Sequence, residues 1–251
     1  MPKYFANTSF IGKPAFFLPK CHSTNDIASE MASKKSAKEG TLIYTNDQFL
    51  GRGQRGNTWK SQPGKNLTFS VIFHPGFLRI SDHFLLNIFT SLALHDFLTV
   101  YTPENLKIKW PNDIMYGGSK IAGILIENSI RSNRFEYSAI GIGLNINQQE
   151  FQMENAISML QICNQEFNID EMLELLSMYL ENRYNQLKSL TVKSLYRDYM
   201  SVMYWKDEIH VFRSNETFNG MIRGIDDSGR LMVETDHGVS SYMFKEIEYL
   251  R

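Results

Sequence analysis

The chain has 251 residues, enough for one large domain or for a large domain with a small one. Its formal net charge of −1 at pH 7 argues against nonspecific binding to nucleic acid, and its two cysteines are too few for a disulfide framework. Its longest apolar runs are far too short to span a membrane, and no secretory signal is recognisable, so the cytoplasm is the expected compartment.

The first part of the chain predicts alternating strands and helices. An apolar run at 15–18 predicts a strand, and the polar run 23–26 supplies capping side chains for a helix that ends near residue 35. Further strands are predicted at 42–45 and at 67–73, where β-branched and aromatic residues are frequent.

The middle of the chain predicts three helices and a hairpin. Ser81 and Asp82 are expected to cap a helix that runs to about residue 100. Asp170 is expected to cap a second helix that runs to residue 187, and a third helix is predicted at 192–200. The predicted strands are 106–110, which Pro111 stops, and 121–126 and 135–142, which a turn at 128–133 connects.

The C-terminal part of the chain has a different residue pattern. Short β-prone runs separated by turn residues predict a small barrel, at 208–212, 218–225, 230–234 and 239–244. The sequence therefore predicts an α+β fold with two domains, a mixed-sheet domain at 1–204 and a small barrel at 205–251.

The glycine-rich stretch 51–59 carries the clearest signal for a binding site. Its sequence is Gly-Arg-Gly-Gln-Arg-Gly-Asn-Thr-Trp, and between residues 48 and 81 there are five basic residues and no acidic one. Glycines let the main chain approach a ligand, and arginines suit carboxylate or phosphate oxygens. A solvated hairpin turn is the alternative. The G-x-G-x-x-G pattern of a dinucleotide-binding turn is also matched, but Pro63 and Gly64 oppose the helix that such a turn needs.

Two further stretches place polar residues at predicted strand ends. Pro111 ends one strand and is expected to expose Asn112 and Asp113 on a sharp turn. Lys120 precedes the apolar strand that contains Gly123, where a point charge suits a carboxylate or phosphate. The stretch 141–145, Gly-Ile-Gly-Leu-Asn, ends another strand and is compatible with a close approach to a purine ring. A turn with a solvated lysine at the first site and a β-bulge at the second are the open alternatives.

Together these motifs resemble those of the biotin–protein ligase family. The stretches that carry the resemblance are, in chain order, Ser23-Thr24-Asn25, Gln48 with the glycine-rich stretch, Lys109-Trp110-Pro111-Asn112-Asp113, Lys120-x-x-Gly123-Ile124-Leu125-x-Glu127 and Gly141-x-Gly143-x-Asn145. The terminal strands, with Gly224-Ile225-Asp226-x-x-Gly229, are similar to the SH3-like domain of that family. The resemblance implies a mixed-sheet domain of biotin/lipoate-ligase type followed by an SH3-like barrel. Because few residues precede Ser23, it implies a monofunctional member without an N-terminal DNA-binding domain.

The resemblance also implies an ATP-dependent reaction in two steps. Members of the family join the carboxylate of biotin to the α-phosphorus of ATP, releasing pyrophosphate. They then transfer the biotinyl group to a lysine of a biotin carboxyl carrier protein or domain. Both steps build negative charge at a small centre, which cations fixed beforehand stabilise. Mg²⁺ is implied as the ion that neutralises the leaving pyrophosphate, and no protein ligands are assigned to it.

The same resemblance implies roles for individual residues. Lys120, Arg52 and Asp113 are expected at the reacting atoms, with Asp113 orienting or deprotonating the incoming amine. Biotin binding is implied for Ser23, Thr24, Gln48, Gly51, Arg52, Lys120 and Gly123. Binding of ATP or the adenylate is implied for Arg52, Arg55, Trp59, Asn112, Lys120 and Asn145. Gln54 and Asn57 stand where the family usually has basic residues, so phosphate contacts are expected to depend more on the two arginines.

Two alternative functions are compatible with the sequence. A lipoate or octanoate ligase or transferase shares the fold and the strand-end lysine, although the glycine-rich stretch is of the biotin type. A non-catalytic biotin-sensing repressor belongs to another class, and the near-neutral charge and the lack of a DNA-binding domain oppose it. We expect no nucleic-acid or membrane partner, and a monomer and a homodimer are both compatible with the sequence.

Overall fold

A seven-stranded mixed sheet forms the centre of the computed structural model, which describes residues 3–189 and 191–250. Its strands are β1 (Ala15–Cys21), β2 (Leu42–Gln48), β3 (Leu67–Phe73), β4 (Leu106–Lys109), β5 (Asp113–Tyr116), β6 (Ser119–Arg131) and β7 (Arg134–Leu144). They lie in the order β1-β2-β3-β7-β6-β5-β4, in which β1 and β2 run parallel and the other neighbours antiparallel. The predicted mixed-sheet α+β fold is confirmed.

Helices cover both faces of this sheet, namely α1 (Thr24–Ser33), α2 (Leu85–Thr99), α3 (Met159–Cys163), α4 (Ile169–Lys188) and α5 (Val192–Ser201). Successive side chains of a strand point to opposite faces. Ile43 and Ile72 accordingly pack beneath α1, whereas their neighbours Leu42 and Val71 join the larger core that includes α2 and α4. No helix within the described ranges is long and apolar enough to cross a bilayer.

A second sheet, antiparallel and SH3-like, follows the helices. Its strands are β8 (Ile209–Arg213), β9 (Thr217–Ile225), β10 (Leu231–Thr235), β11 (Gly238–Tyr242) and β12 (Glu248–Leu250), in the order β11-β10-β9-β8-β12. Trp110 Nε1 donates a hydrogen bond of 2.9 Å to the carbonyl of Gly229. Gly229 has a positive φ of 83° and leaves no room for a Cβ above the Phe84 ring. Buried residues of both sheets form one continuous apolar core, which holds the SH3-like sheet against the large one.

Two predicted helix caps are wrong. Ser81 and Asp82 lie in a 3-10 turn in which the Asp82 carboxylate accepts hydrogen bonds from Arg79, and α2 begins three residues later without a side-chain cap. Asp170 lies in the first turn of α4, whose cap is the side chain of Asn168, an acceptor for two backbone N–H groups. Asn168 thus takes the capping position predicted for Asp170, whereas the Asp82 carboxylate is engaged by Arg79 and caps no helix.

The sequence also gave no signal for three short elements, β5, α3 and β12. The hairpin of β6 and β7 is longer than predicted, because its turn is only Ser132 and Asn133, both with positive φ. Two central residues with positive φ match the right-handed twist of the strands, so the pairing continues up to the turn.

Candidate functional site

A cavity of about 390 Å³ opens between the large sheet and the SH3-like sheet. Its size lies in the usual range for small-molecule sites. Nine of the twelve residues predicted for the site line it, namely Ser23, Thr24, Gln48, Arg52, Trp59, Asn112, Asp113, Lys120 and Gly123. Gly51 and Asn145 are outside the lining, and the side chain of Arg55 lies outside the part of the chain that the structure describes.

The N-terminus of α1 and the end of β2 form a polar corner of this cavity. Because β1 and β2 are paired up to Cys21 and Gln48, the helix that follows β1 begins beside the Gln48 side chain. The backbone N–H of Thr24 donates to Gln48 Oε1 at 2.8 Å. Ser23 is the helix cap, and its hydroxyl accepts from the N–H of Asp26 at 3.3 Å. This corner offers several small polar groups to a neutral polar ligand.

The glycine-rich loop, residues 51–59, folds as a hairpin over the cavity. The N–H of Trp59 donates to the carbonyl of Gly51 at 2.9 Å, and the N–H of Gly53 donates to that of Asn57 at 2.7 Å. A Cβ on Gly51 would collide with the carbonyl of Trp59 and with Gln48 Nε2. The loop is therefore both a hairpin turn and part of the cavity wall, and Gly51 permits its close approach to Gln48.

The Arg52 side chain reaches two carboxylates. Its guanidinium forms ion pairs with Asp26, the third residue of α1, and with Glu127 of β6, at 2.8 Å in the second pair. The hydrogen bond to Glu127 is the main reason that the pKa of Arg52 is raised above its usual value. Asn25 donates to the same Glu127 oxygen at 2.5 Å. No role was predicted for Asp26, Glu127 or Asn25, although Asn25 and Glu127 belong to the quoted motifs.

Lys120 and Asp113 form an ion pair of 2.6 Å at the other side of the cavity. They meet because β5 and β6 form a tight hairpin whose pairing includes Asp113 with Gly123. Asn112 and Asp113 were expected on an exposed turn, and this expectation is wrong. Asn112 is buried and donates to the carbonyl of Ile124 at 2.5 Å, and Asp113 begins a strand that was not predicted.

The glycines of β6 and β7 make room for side chains. A Cβ on Gly143 would collide with the indole of Trp59, and one on Gly123 would lie 2.9 Å from Lys120 Nζ and 3.3 Å from the indole. The pairing of β7 with β3 and β6 is regular at Gly141 and Gly143, which excludes the bulge considered as an alternative. The indole Nε1 of Trp59 is buried and has no partner among the described residues.

Asn145 directly follows β7, and its expected role in binding ATP or the adenylate stays a prediction. It is buried outside the cavity lining, and its amide donates to the carbonyl of Ile157 at 3.0 Å. Its backbone N–H donates to the carbonyl of Ile121. In this structure Asn145 fixes the ends of two strands that carry cavity residues.

The SH3-like sheet also contributes to the cavity wall, through Phe244, Ile247, Glu248 and Tyr249. Lys109 lies over the Tyr249 ring, with Nζ 4.5 Å from its centre. Burial raises the pKa of Tyr249 well above its usual value, and its hydroxyl has no partner within the described ranges. The sequence gave no signal for these contacts, because they depend on how the second sheet packs.

Within the described ranges no group of three or more His, Cys, Asp or Glu residues could hold a metal ion. The cavity carboxylates are Asp113 and Glu248. Mg²⁺ is commonly held by one or two carboxylates together with substrate phosphates and water. These two residues therefore fit an ion that arrives with a nucleotide.

Comparisons with known proteins agree with this architecture. Residues 17–145 match the family model described as "Biotin/lipoate A/B protein ligase family", and residues 208–248 match "Biotin protein ligase C terminal domain". The bifunctional ligase/repressor BirA of Bacillus subtilis (strain 168) is 28% identical over 254 residues, covering 98% of this chain and 77% of that protein. A biotin–[acetyl-CoA-carboxylase] ligase of Paracoccus denitrificans is 35% identical over 133 residues, 51% of this chain and 53% of its own.

Solved structures share the fold. A biotin protein ligase from Aquifex aeolicus in complex with biotin and ATP superposes with a TM-score of 0.78 at 23% identity, covering 94% of this chain and 98% of that one. A biotin protein ligase from Leishmania major in complex with biotinyl-5-AMP superposes with a TM-score of 0.63 at 22% identity, covering 91% and 98%.

Proposed function

Because the chain belongs to the biotin/lipoate A/B protein ligase family, we propose that its cavity activates biotin with ATP and passes the biotinyl group to a protein lysine. The protein is a biotin–protein ligase that forms biotinyl-5′-AMP and pyrophosphate in its first step. The observation that carries the proposal is the Lys120–Asp113 ion pair of 2.6 Å, held in a cavity whose opposite corner offers the neutral side chains of Ser23, Thr24 and Gln48. A cation at one end and small polar groups at the other suit a carboxylic acid with a polar ring.

Biotin lies, in this proposal, with its ring in the polar corner and its carboxylate towards Lys120. Ser23, Thr24 and Gln48 offer hydrogen bonds to the ring, and the cavity between them and Lys120 accommodates the aliphatic chain. Gly51 acts indirectly, by letting the loop approach Gln48. Gly123 leaves the space that the ammonium group and the indole occupy.

In the first step a carboxylate oxygen of biotin attacks the α-phosphorus of ATP, and the bond to the β-phosphate oxygen breaks. Lys120 and Arg52 stabilise the charge that develops on the α-phosphate oxygens, since both cations are held in place before ATP binds. Asp113 or Glu248 would hold a Mg²⁺ ion that arrives with the triphosphate, and this ion would neutralise the charge of the leaving pyrophosphate. Trp59 and Asn112 flank the adenylate, and Arg55 is a further candidate for a phosphate contact.

In the second step the amine of an acceptor lysine attacks the carbonyl carbon of the adenylate, and AMP leaves. Asp113 orients that amine and accepts its proton. The acceptor belongs to a biotin carboxyl carrier protein or domain, which approaches the cavity beside the SH3-like sheet. Residues of that sheet line the cavity, so its packing controls access to the adenylate.

The test is a reconstitution with purified full-length chain, ATP, Mg²⁺ and a biotin carrier domain. We expect a mass increase of one biotinyl group on the acceptor lysine, and none on a carrier in which that lysine is replaced by arginine. Lipoate in place of biotin is the matched control for the related ligases. Lipoyl transfer at a rate equal to biotinyl transfer, or no transfer of biotin, would contradict the proposal.

A further inference from the structure

A single row of residues crosses the large sheet and forms the floor of the cavity. Each residue of the row pairs directly with the next across β3, β7, β6, β5 and β4, in the order Thr68, Gly143, Gly123, Asp113 and Lys109. Residues that pair directly across antiparallel strands project from the same face of a sheet, and all five line the cavity. The row therefore gives the cavity a direction, from β3 to β4.

The two ends of this row have different surroundings. The β3 end is beside the polar corner, where the hydroxyls of Ser70 and Thr24 lie 2.9 Å apart. At the β4 end, Lys109 lies against the SH3-like sheet, with Nζ 4.5 Å from the centre of the Tyr249 ring. Asp113 is the last residue of the row before Lys109. The ion pair of Asp113, which the proposed mechanism places at the α-phosphorus, thus lies between the two ends.

The proposed first step determines the direction in which pyrophosphate leaves. The carboxylate of biotin approaches the α-phosphorus from the polar corner, and the attacking and leaving oxygens of such a displacement are roughly in line. The pyrophosphate therefore departs on the far side of the Lys120–Asp113 pair, towards the β4 end of the row. Neighbouring strands are about 4.8 Å apart, so Lys109 is the next position in that direction.

The ring of Tyr249 holds the Lys109 side chain at this place. Its centre lies 5.4 Å from that of Trp205 and 5.4 Å from that of Phe212, a fully buried residue of β8. These contacts fix the ring in the SH3-like sheet. A cation over an aromatic face is attracted to it, which restricts an otherwise flexible lysine side chain. The second sheet thereby positions a cation of the cavity floor before ATP binds.

We propose that Lys109 is a further catalytic residue, which binds the leaving pyrophosphate, and that Tyr249 is the residue that positions it. This inference rests on the proposed function. When the bond between the α-phosphorus and the β-phosphate oxygen breaks, its electron pair stays on the pyrophosphate, and the ammonium group stabilises the added charge without a proton transfer. Biotinyl-5′-AMP contains no pyrophosphate, so Lys109 acts in the first step and not in the transfer to the acceptor lysine.

The first test compares the two steps in Lys109→Met. Formation of biotinyl-5′-AMP from biotin and ATP is measured in single turnovers of the full-length chain, and transfer is measured separately, from supplied biotinyl-5′-AMP to a carrier domain. We expect formation to slow at least about tenfold more than transfer, and the KM for pyrophosphate in the reverse reaction to rise about tenfold, because a hydrogen bond between charged groups is lost. Lys107→Met is the matched control, because Lys107 is an exposed lysine of the same strand that does not line the cavity.

Two results would overturn the role of Lys109, namely equal losses in both steps or a KM for pyrophosphate equal to that of the wild type. Absence of biotinyl-5′-AMP formation by the wild type would instead refute the proposed function. Thermal unfolding identifies the variants that fold. If Lys109→Met does not fold, Lys109→Gln takes its place in the same measurements.

The second test separates the aromatic ring of Tyr249 from its hydroxyl. Tyr249→Phe keeps the face over which Lys109 lies, whereas Tyr249→Leu removes it. We expect the KM for pyrophosphate to be about threefold to tenfold higher in Tyr249→Leu than in Tyr249→Phe, and this ratio to fall to about one when both changes are made in Lys109→Met. A ratio near one in the otherwise wild-type chain, or the same ratio in both backgrounds, would overturn the positioning role.

Discussion

Replacing Lys120 by methionine tests the centre of the proposed mechanism. The change keeps an unbranched side chain and removes the charge that lies 2.6 Å from Asp113. Loss of one preorganised donor to a developing anion costs roughly 3 kcal/mol of transition-state stabilisation. Since each 1.36 kcal/mol is a factor of ten in rate, we expect adenylate formation to fall by about two orders of magnitude or more.

The effect on folding is expected to be much smaller. The side chains of Lys120 and Asp113 are both 27% exposed, so the ion pair is partly screened by water and contributes about 1 kcal/mol or less to stability. The assay is biotin-dependent exchange of pyrophosphate into ATP, with thermal unfolding measured on the same samples. Lys107→Met is the matched control, because Lys107 is an exposed lysine of β4 that does not line the cavity. An exchange rate within tenfold of the wild type in Lys120→Met would refute the reasoning.

Three further predictions concern the loop, the packing of the two sheets and the pH dependence of stability. Asp26→Asn removes one of the two ion pairs of Arg52, so trypsin should cut the glycine-rich loop of the free variant sooner than that of the wild type. Biotin with ATP should slow the cleavage in both proteins. Cleavage that the ligands do not affect would show that the loop is not a lid. In urea unfolding, Gly229→Ala should lower the free energy of unfolding by roughly 1–3 kcal/mol more than Gly238→Ala. Both glycines have positive φ, but only Gly229 lacks room for a Cβ. Equal losses would contradict the described packing. Burial raises the pKa of Glu181, but three backbone N–H donors of the N-terminal segment lower this pKa more, so it lies below the ordinary value of 4.5. The carboxylate therefore stabilises the fold above that pH, and the deficit of Glu181→Gln in urea unfolding at pH 7 should shrink as the pH falls through the lowered pKa of the folded state; a deficit that is the same at pH 7 and at pH 3 would exclude this linkage.

The sequence predicts those strands well whose burial is continuous. β3 has the predicted bounds, because all seven of its residues are buried and several are β-branched or aromatic. β5 escaped prediction because its four residues begin with an aspartate and end at two glycines, a composition typical of a turn. What makes β5 a strand is its pairing with β4 and β6, a tertiary contact without a local signature.

In the candidate site, too, some features have a local signature in the sequence, whereas others depend on tertiary contacts. The resemblance of the motifs to those of a known family identified nine residues that line the cavity. It could not predict what approaches each glycine. Gly141 and Gly143 are compatible with a close approach to a purine ring, and the folded chain shows in addition that they make room for the side chains of Asn25 and Trp59. The partners of Arg52 are Asp26 of α1 and Glu127 of β6, which lie close to each other only in the folded chain.

The two cations that the proposed mechanism places at the reacting atoms, Arg52 and Lys120, are each paired with carboxylates, so neither adds an uncompensated positive charge to the cavity. Residues 48–81 contain no acidic residue, yet Arg52 meets Asp26 and Glu127, and Lys120 meets Asp113, each from another part of the chain. An unpaired cation in a partly buried site would be costly and mobile, whereas a paired one is held in position before the ligand binds. The carboxylates also weaken the attraction for a ground-state anion. Because the negative charge on phosphorus and then on the carbonyl oxygen grows only in the transition state, the fixed cations act most strongly there, which raises the rate rather than the affinity.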